Sequence, residues 1–260
     1  MAAQRGVRVM GILNVTPDSF SGDGVLDTGA AVARGLALHA AGAEIIDVGG
    51  ESTRPGHLPV SAEVELARVI PVVRRLAAEL PIPISIDTWK LEVGRAAVEA
   101  GARMLNDIWG LRRSPGLAAL AAESGSELVV MHNQEGTEYP GDLIAAITAG
   151  LRESVAAALE AGVPAAHVIV DPGLGFGKSG LQNLEVLRRL EEISGLGQPL
   201  LVGASRKGYL GRFFGQEGHD RRWGTAASIT AAVLRGAAIV RVHDVAEMTR
   251  VVRVAEALRR

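Results

Sequence analysis

Short runs of apolar, β-prone residues alternate along the chain with longer stretches in which apolar positions recur every three or four residues. The short runs begin near Val7, Glu44, Pro83, Met104, Glu127, His167, Pro199 and Ala238 and read as strands. The stretches between them read as helices: Thr28 to Ala41, Ser61 to Glu79, Lys90 to Ala100, Pro115 to Glu123, Leu143 to Ala161, Leu181 to Ile193, Thr225 to Arg235 and Val245 to Leu258. Eight consecutive βα units predict an α/β fold of the (β/α)8 TIM barrel type, in which about 250 residues form one domain. A doubly wound open sheet shows the same alternation but usually stops at fewer units. No composition break, linker or low-complexity tract interrupts the order, so residues 1–260 read as a single domain.

The polar positions sharpen this picture. Apolar runs stop at Asn14, Asp47, Asp87, Asn106, His132, Asp171, Ser205 and the pair Arg241 and His243. In a parallel barrel these strand ends share one rim, so residues far apart in sequence converge on one polar pocket. The long loops Thr16 to Asp27, Gly49 to Pro59 and Lys207 to Trp223 belong to the same face. Each residue alone has a plainer reading, since Asp and Asn after a strand are common turn formers and helix caps. That plain reading fits Asp87, followed by Thr88 and a helix, as well as a functional one does. Asp171 follows an apolar run directly and reads as functional, although Pro172 also allows a turn. Strand alternation sends the neighbours Asn106 and Asp107 to opposite faces, so only one enters the interior. Asp47 reads as a supporting group, and His39, His57, His167 and His219 as non-catalytic.

Composition narrows the chemistry. With 27 basic and 29 acidic residues the formal charge is −2, which gives no electrostatic footprint for nucleic acid or an anionic membrane. Cysteine is absent, which excludes disulfides, thiolate metal sites and a cysteine nucleophile, and fits a cytoplasmic address. No apolar stretch approaches the ~18 residues of a membrane span, and Met1 to Arg8 shows no leader pattern.

The basic pair Arg206 and Lys207 after the seventh strand has the plain reading of a solvated loop face. Near carboxylates, though, Lys207 would be held as a compact cation able to contact a polar ring edge. Two further basic segments remain. Gly173 to Ser179 ends in the Gly-Lys-Ser of a phosphate-binding loop, which raises nucleotide hydrolysis as a competing function. That motif requires glycine five positions before Gly177, where Pro172 stands without an N–H to offer. A dinucleotide fingerprint opening at Gly173 requires glycine where Lys178 stands. The segment reads instead as a glycine turn that lets backbone approach a flat ligand. Near the C-terminus, Arg241 and His243 alternate onto one side of the last strand and form a small anion site, in the region where barrels often bind phosphate.

These residues fall within longer motifs. Met10 to Gly24 and Gly42 to Gly56 resemble the two signature segments of the dihydropteroate synthases, the pterin-binding barrel family. Further matches follow in family order at Ser85 to Thr88, Leu105 to Ile108, Val130 to His132, Asp171 to Gly173, Gly203 to Lys207 and Arg241 to Asp244. The resemblance implies a transferase that condenses 6-hydroxymethyl-7,8-dihydropterin pyrophosphate with p-aminobenzoate and releases pyrophosphate. It selects Asn106 over Asp107 and implies that Asp87, Asn106 and Asp171 bind the pterin ring between Ile108, Met131 and Phe176. Gly203 would line the same pocket, and Lys207 would contact the ring's other edge and border the aminobenzoate site.

Asn14 would help hold a Mg2+ on the pyrophosphate, with Arg241 and His243 as further anion contacts. Thr53 and Arg54 would form part of the second-substrate pocket, and Asp18 and Ser19 would lie on a closing loop. The family also implies a homodimer through barrel helices and binding of sulfonamide analogues of the second substrate. One departure stands out: many members carry serine after the lysine, facing the benzoate carboxylate, where this chain has Gly208. Two alternatives share the fold, a methyltransferase domain that passes a folate methyl group to a corrinoid protein and a non-catalytic pterin binder. The first has no use for the two loop signatures together with Arg241 and His243, and intact Asn14, Thr53, Arg54, Lys207 and Arg241 argue against the second.

Overall fold

In the computed structural model, which describes residues 6–16, 27–51, 59–214 and 221–259, eight parallel strands form a nearly closed barrel with helices outside. The strands are β1 (Arg8–Asn14), β2 (Ile45–Gly49), β3 (Ile84–Asp87), β4 (Met104–Asp107), β5 (Glu127–Met131), β6 (Val168–Asp171), β7 (Leu201–Val202) and β8 (Ile239–Val242). They pair in the order β6-β5-β4-β3-β2-β1-β8-β7, and the ring closes between β6 and β7 through a single bridge from Val170 to Leu200. The closing strand is shorter than its apolar run predicts. Pro199 has no N–H, so it meets β6 only through its carbonyl, which accepts from Val170 N at 3.0 Å.

The described helices are α1 (Thr28–Ala40), α2 (Ala62–Glu79), α3 (Leu91–Glu99), α4 (Gly116–Ser124), α5 (Leu143–Glu160), α6 (Gly180–Arg188), α7 (Leu190–Ser194), α8 (Gly208–Phe214), α9 (Arg222–Leu234) and α10 (Val245–Arg259). Two differ from the sequence reading. The predicted helix Leu181 to Ile193 breaks at Arg189, whose backbone leaves helical geometry and whose guanidinium spans Asp142, Glu185 and Glu192. The predicted loop after β7 contains α8, whose Tyr209 and Leu210 are buried. Gly208 and Gly211 within this short segment obscure its helical period.

Side chains alternate in and out along every strand. The outward set, including Ile46, Val48, Leu105, Val170, Val240 and Val242, packs against the helices in one large core. The inward set makes a separate cluster of Met10, Ile45, Met104, Val129, Ile169, Leu201 and Ile239. Two residues further along the same strands, the interior turns polar. No described helix is long and apolar enough to cross a membrane.

Candidate active site

Above the apolar interior cluster, alternation brings Asp47, Asp87, Asn106, Asp171 and Arg241 to one level at the C-terminal end of the barrel. Asp47 is fully buried, and its Oδ2 accepts from Arg241 Nε at 2.6 Å and from Asn106 Nδ2 at 3.2 Å. Arg241 Nη2 donates to Asp87 Oδ2 at 2.6 Å. Asp47 is thus the supporting group that the sequence suggests: it aims both the amide of Asn106 and the fork of Arg241. Asp87 caps no helix. Its carboxylate meets Arg241, while Thr88 Oγ1 takes the nearby Lys90 N–H at 3.2 Å. Arg241 thus joins Asp87, which the resemblance assigns to the pterin ring, although the sequence reading places Arg241 itself at the anion.

Burial raises the Asp87 pKa to about 7 against the opposing charge of Arg241, and burial likewise raises Asp171. The Arg241 guanidinium stays protonated: burial works against its charge, but Asp47 and Asp87 outweigh it. Asp171 serves two ends at once, because Oδ1 accepts from Gly173 N at 2.7 Å in a turn while the residue remains part of the polar layer. Asn106 enters the interior, and Asp107 faces outward, where it accepts from Trp109 N at 2.8 Å and Leu111 N at 2.6 Å. Alternation separates the two residues, and the structure takes the choice that the resemblance implies, with Asp107 as a structural hydrogen-bond partner.

The rim completes the site. Lys207 Nζ lies 4.2 Å from the centre of the Phe176 ring, and burial followed by Arg241 lowers its pKa to about 8, with Asp171 and Asp87 opposing. Ser205 Oγ accepts from His243 N at 3.1 Å and sits 3.0 Å from His243 Nδ1. Burial and then Arg241 push the His243 pKa down to about 3, so the ring is neutral. In the tautomer in which Ser205 Oγ–H donates to Nδ1, the ring hydrogen sits on Nε2 as a donor. Met131 is buried at the end of β5, Ile108 half-buried just after β4, and Gly203 adjoins Arg241, with 3.9 Å between a Cβ built on the glycine and Arg241 Cβ. Asn14 ends β1, and its Oδ1 lies 3.8 Å from a Cβ built on Gly49, beside Asp87 Oδ2 at 3.7 Å. Among the described residues no group of three or more His, Cys, Asp or Glu is placed to hold a metal ion. Asp18, Ser19, Thr53 and Arg54 lie outside the described residues.

The glycine turn after β6 departs from its reading. Its open sides face protein rather than a ligand space: a Cβ on Gly173 would lie 2.0 Å from His132 O, and one on Gly175 2.9 Å from Lys207 Cδ. The spacing Gly175, Gly177, Gly180 satisfies a dinucleotide fingerprint, but a Cβ on Gly177 would meet Gln134 O at 2.4 Å, so no pyrophosphate passes there. Sequence reasoning also overlooked Lys178, whose ammonium is buried beneath this loop. Its only signal was the Gly-Lys-Ser that failed as a phosphate loop.

Comparison with known proteins agrees with this geometry. Residues 10–243 match the family described as pterin binding enzyme. The dihydropteroate synthase of Bacillus subtilis (strain 168) is 46% identical over 255 residues, covering 96% of this chain and 88% of that protein. A solved Xanthomonas albilineans dihydropteroate synthase with 4-aminobenzoic acid superposes with a TM-score of 0.93 at 44% identity, over 98% of this chain and 94% of that one. The same enzyme in complex with 7,8-dihydropteroate superposes with a TM-score of 0.90 at 42% identity, over 98% and 95%.

Proposed function

Because the chain belongs to the pterin-binding enzyme family, we propose that its barrel mouth divides one transfer reaction among the residues just described. The reaction is dihydropteroate synthesis: the amine nitrogen of p-aminobenzoate forms a bond to the pterin methylene carbon, pyrophosphate leaves with the electron pair of the broken C–O bond, and the nitrogen then releases one proton. The observation that carries the assignment is the buried layer of Asp87, Asn106 and Asp171 with Arg241 and Lys207 beside it. A reduced pterin offers an amino group and ring N–H donors next to an oxo acceptor, so carboxylates and an amide in one layer complement its edge. Ile108, Met131, Phe176 and Gly203 wall the flat ring.

The arylamine is neutral at pH 7 and needs no base to become a nucleophile. Catalysis then rests on orientation and on stabilising the departing anion. Arg241, fixed in place by Asp47 and Asp87, and the Nε2–H of His243 face that anion, and Lys207 lies between ring and arylamine. Mg2+, when bound on pyrophosphate, neutralises its charge; a cation that keeps waters and takes most ligands from phosphate needs few protein oxygens, and the Asn14 amide offers one. The deciding assay measures dihydropteroate formed from the two substrates with and without Mg2+. Folded protein that makes no product would sink this reading.

A homodimer in the cytoplasm completes the proposal. Leu181 and Leu184 on α6, Trp223 and Leu234 on α9, and Val254 and Leu258 on α10 are exposed, Trp223 by 77%. Residues three, four or eleven apart share a helix face, so each pair is one apolar stripe on adjoining helices. Trp223→Glu should shift the chain to monomer in sedimentation; wild-type protein that already sediments as a monomer rules the dimer out.

A further inference from the structure

The segment Gly173 to Ser179 holds a buried cation that neither the ring layer nor the anion contacts use. Lys178 turns back beneath its own loop and is 7% exposed. Its Nζ lies 3.1 Å from Gly173 O, 3.0 Å from Phe176 O and 3.4 Å from His132 O, with His132 Nδ1 at 3.3 Å. An ammonium has three donors and no acceptor, so His132 must present an unprotonated Nδ1 to it. His132 is neutral, since burial, then Lys178 and Arg112, push its pKa down to about 3. The loop reaches this position because Gly173 (φ 71°) and Gly175 (φ 81°) adopt left-handed backbone and carry no Cβ. At its tip the Phe176 ring rests against Lys207 Nζ.

We propose that Lys178 is a positioning residue for the transfer reaction: by tying the carbonyls of Gly173 and Phe176 to the end of β5, it holds the Phe176 ring against Lys207 and so fixes the wall between the ring pocket and the arylamine pocket. The inference rests on the roles proposed above for Phe176 and Lys207. It gives the site a pH dependence. Lys178 faces Asp171 from β6, which favours its charge, and Lys207 and Arg112 from the loops after β7 and β4, which oppose it. The neutral His132 lies beside it, with Tyr139 against the His132 ring. Burial is the largest influence, and it draws the lysine pKa down to about 7. A neutral amine keeps two donors, so the loop loses a tie as pH rises through that value.

The test uses the full chain with Lys178→Met and Lys178→Arg. Folded Lys178→Met should raise KM for p-aminobenzoate about tenfold while the Kd of a pterin lacking pyrophosphate stays within about threefold, because the carboxylate layer remains. In the wild type that KM should climb between about pH 6 and pH 8, the climb should vanish in Lys178→Met, and Lys178→Arg should recover most of the binding without it. An unchanged KM in folded Lys178→Met, equal losses for pterin and arylamine, or a climb that persists in that variant overturns the proposal. If Lys178→Met does not fold, hydrogen exchange on the wild-type Gly173 to Lys178 amides decides. Protection corrected for intrinsic rates should fall over the same pH range, and constant protection overturns the inference. A wild type that makes no dihydropteroate would instead sink the proposed function, and the exchange measurement would still judge Lys178.

Discussion

In the lower barrel interior, Ile45, Met104, Ile169 and Ile239 meet in an apolar layer; two residues further along the same strands stand Asp47, Asn106, Asp171 and Arg241. Backbone geometry is the same in both layers, and Asp47 is buried as deeply as Met104: both are 0% exposed. What differs is the source of stability. The lower layer gains from every side chain independently, because each removes apolar area from water. The upper layer must first overcome the desolvation of its charges, several kcal/mol per ion, and it stands only while Arg241 meets both Asp47 and Asp87. One layer tolerates partial loss, and the other depends on being complete.

The largest effect should therefore come from Arg241→Met, which leaves two buried carboxylates without their cation. Denaturant unfolding should show a loss of about 3–5 kcal/mol together with loss of turnover. Adding Asp47→Asn and Asp87→Asn to that variant should return part of the stability and none of the activity. If Arg241→Met alone costs under about 1 kcal/mol, the upper layer does not depend on its pairing. Met104→Ala, one layer below, should cost about 2–3 kcal/mol, toward the low end for such a truncation because the flexible Met10 can relax into the gap. Its pterin affinity should stay near wild type, and a large affinity loss would mean that the two layers are coupled.

The contrast between layers also marks what the sequence could disclose. A period of two separates Asn106 from Asp107 and places Asp171 and Arg241 inside, so most of the polar layer was legible from strand ends. The sharing of Arg241 was not. Its partner Asp47 lies 194 positions away, and no local pattern tells which carboxylates a closed barrel brings to one guanidinium. Lys178 escaped for a related reason: a lysine in a glycine-rich loop reads as solvated or phosphate-bound, and only the fold of the loop over it creates a buried site. The helix Gly208–Phe214 was hidden by its two glycines, although its buried Tyr209 and Leu210 are an apolar pair within the loop.

A smaller effect tests whether the upper layer's cations act through charge. Lys207, lowered to about 8 by burial and then Arg241, is charged below that pH and neutral above it. With p-aminobenzoate saturating, kcat/KM for the pterin pyrophosphate should fall above about pH 8, as the free enzyme loses this cation. Arginine keeps its charge throughout, so Lys207→Arg should show lower activity but no such limb. A limb that stays at the same pH in that variant belongs to another group.

The smallest effect expected lies at Gly208, outside both layers. A Cβ built there meets nothing within 4 Å, and its backbone is not in the left-handed region, so Gly208→Ser introduces neither clash nor strain. The residue opens α8 directly after Lys207, where many family members place a serine toward the benzoate carboxylate. A hydroxyl gained there is worth about 1.5 kcal/mol as a hydrogen bond to a charged acceptor, so KM for p-aminobenzoate should drop about tenfold with kcat and pterin affinity unchanged. Sulfonamide inhibition should strengthen in proportion, since an analogue in the same pocket meets the same hydroxyl. A drop in KM without a matching gain for the inhibitor would separate the two ligands' contacts. No change in either would mean that the carboxylate already draws its donors from the Gly208 backbone N–H and the loop, leaving the serine nothing to add.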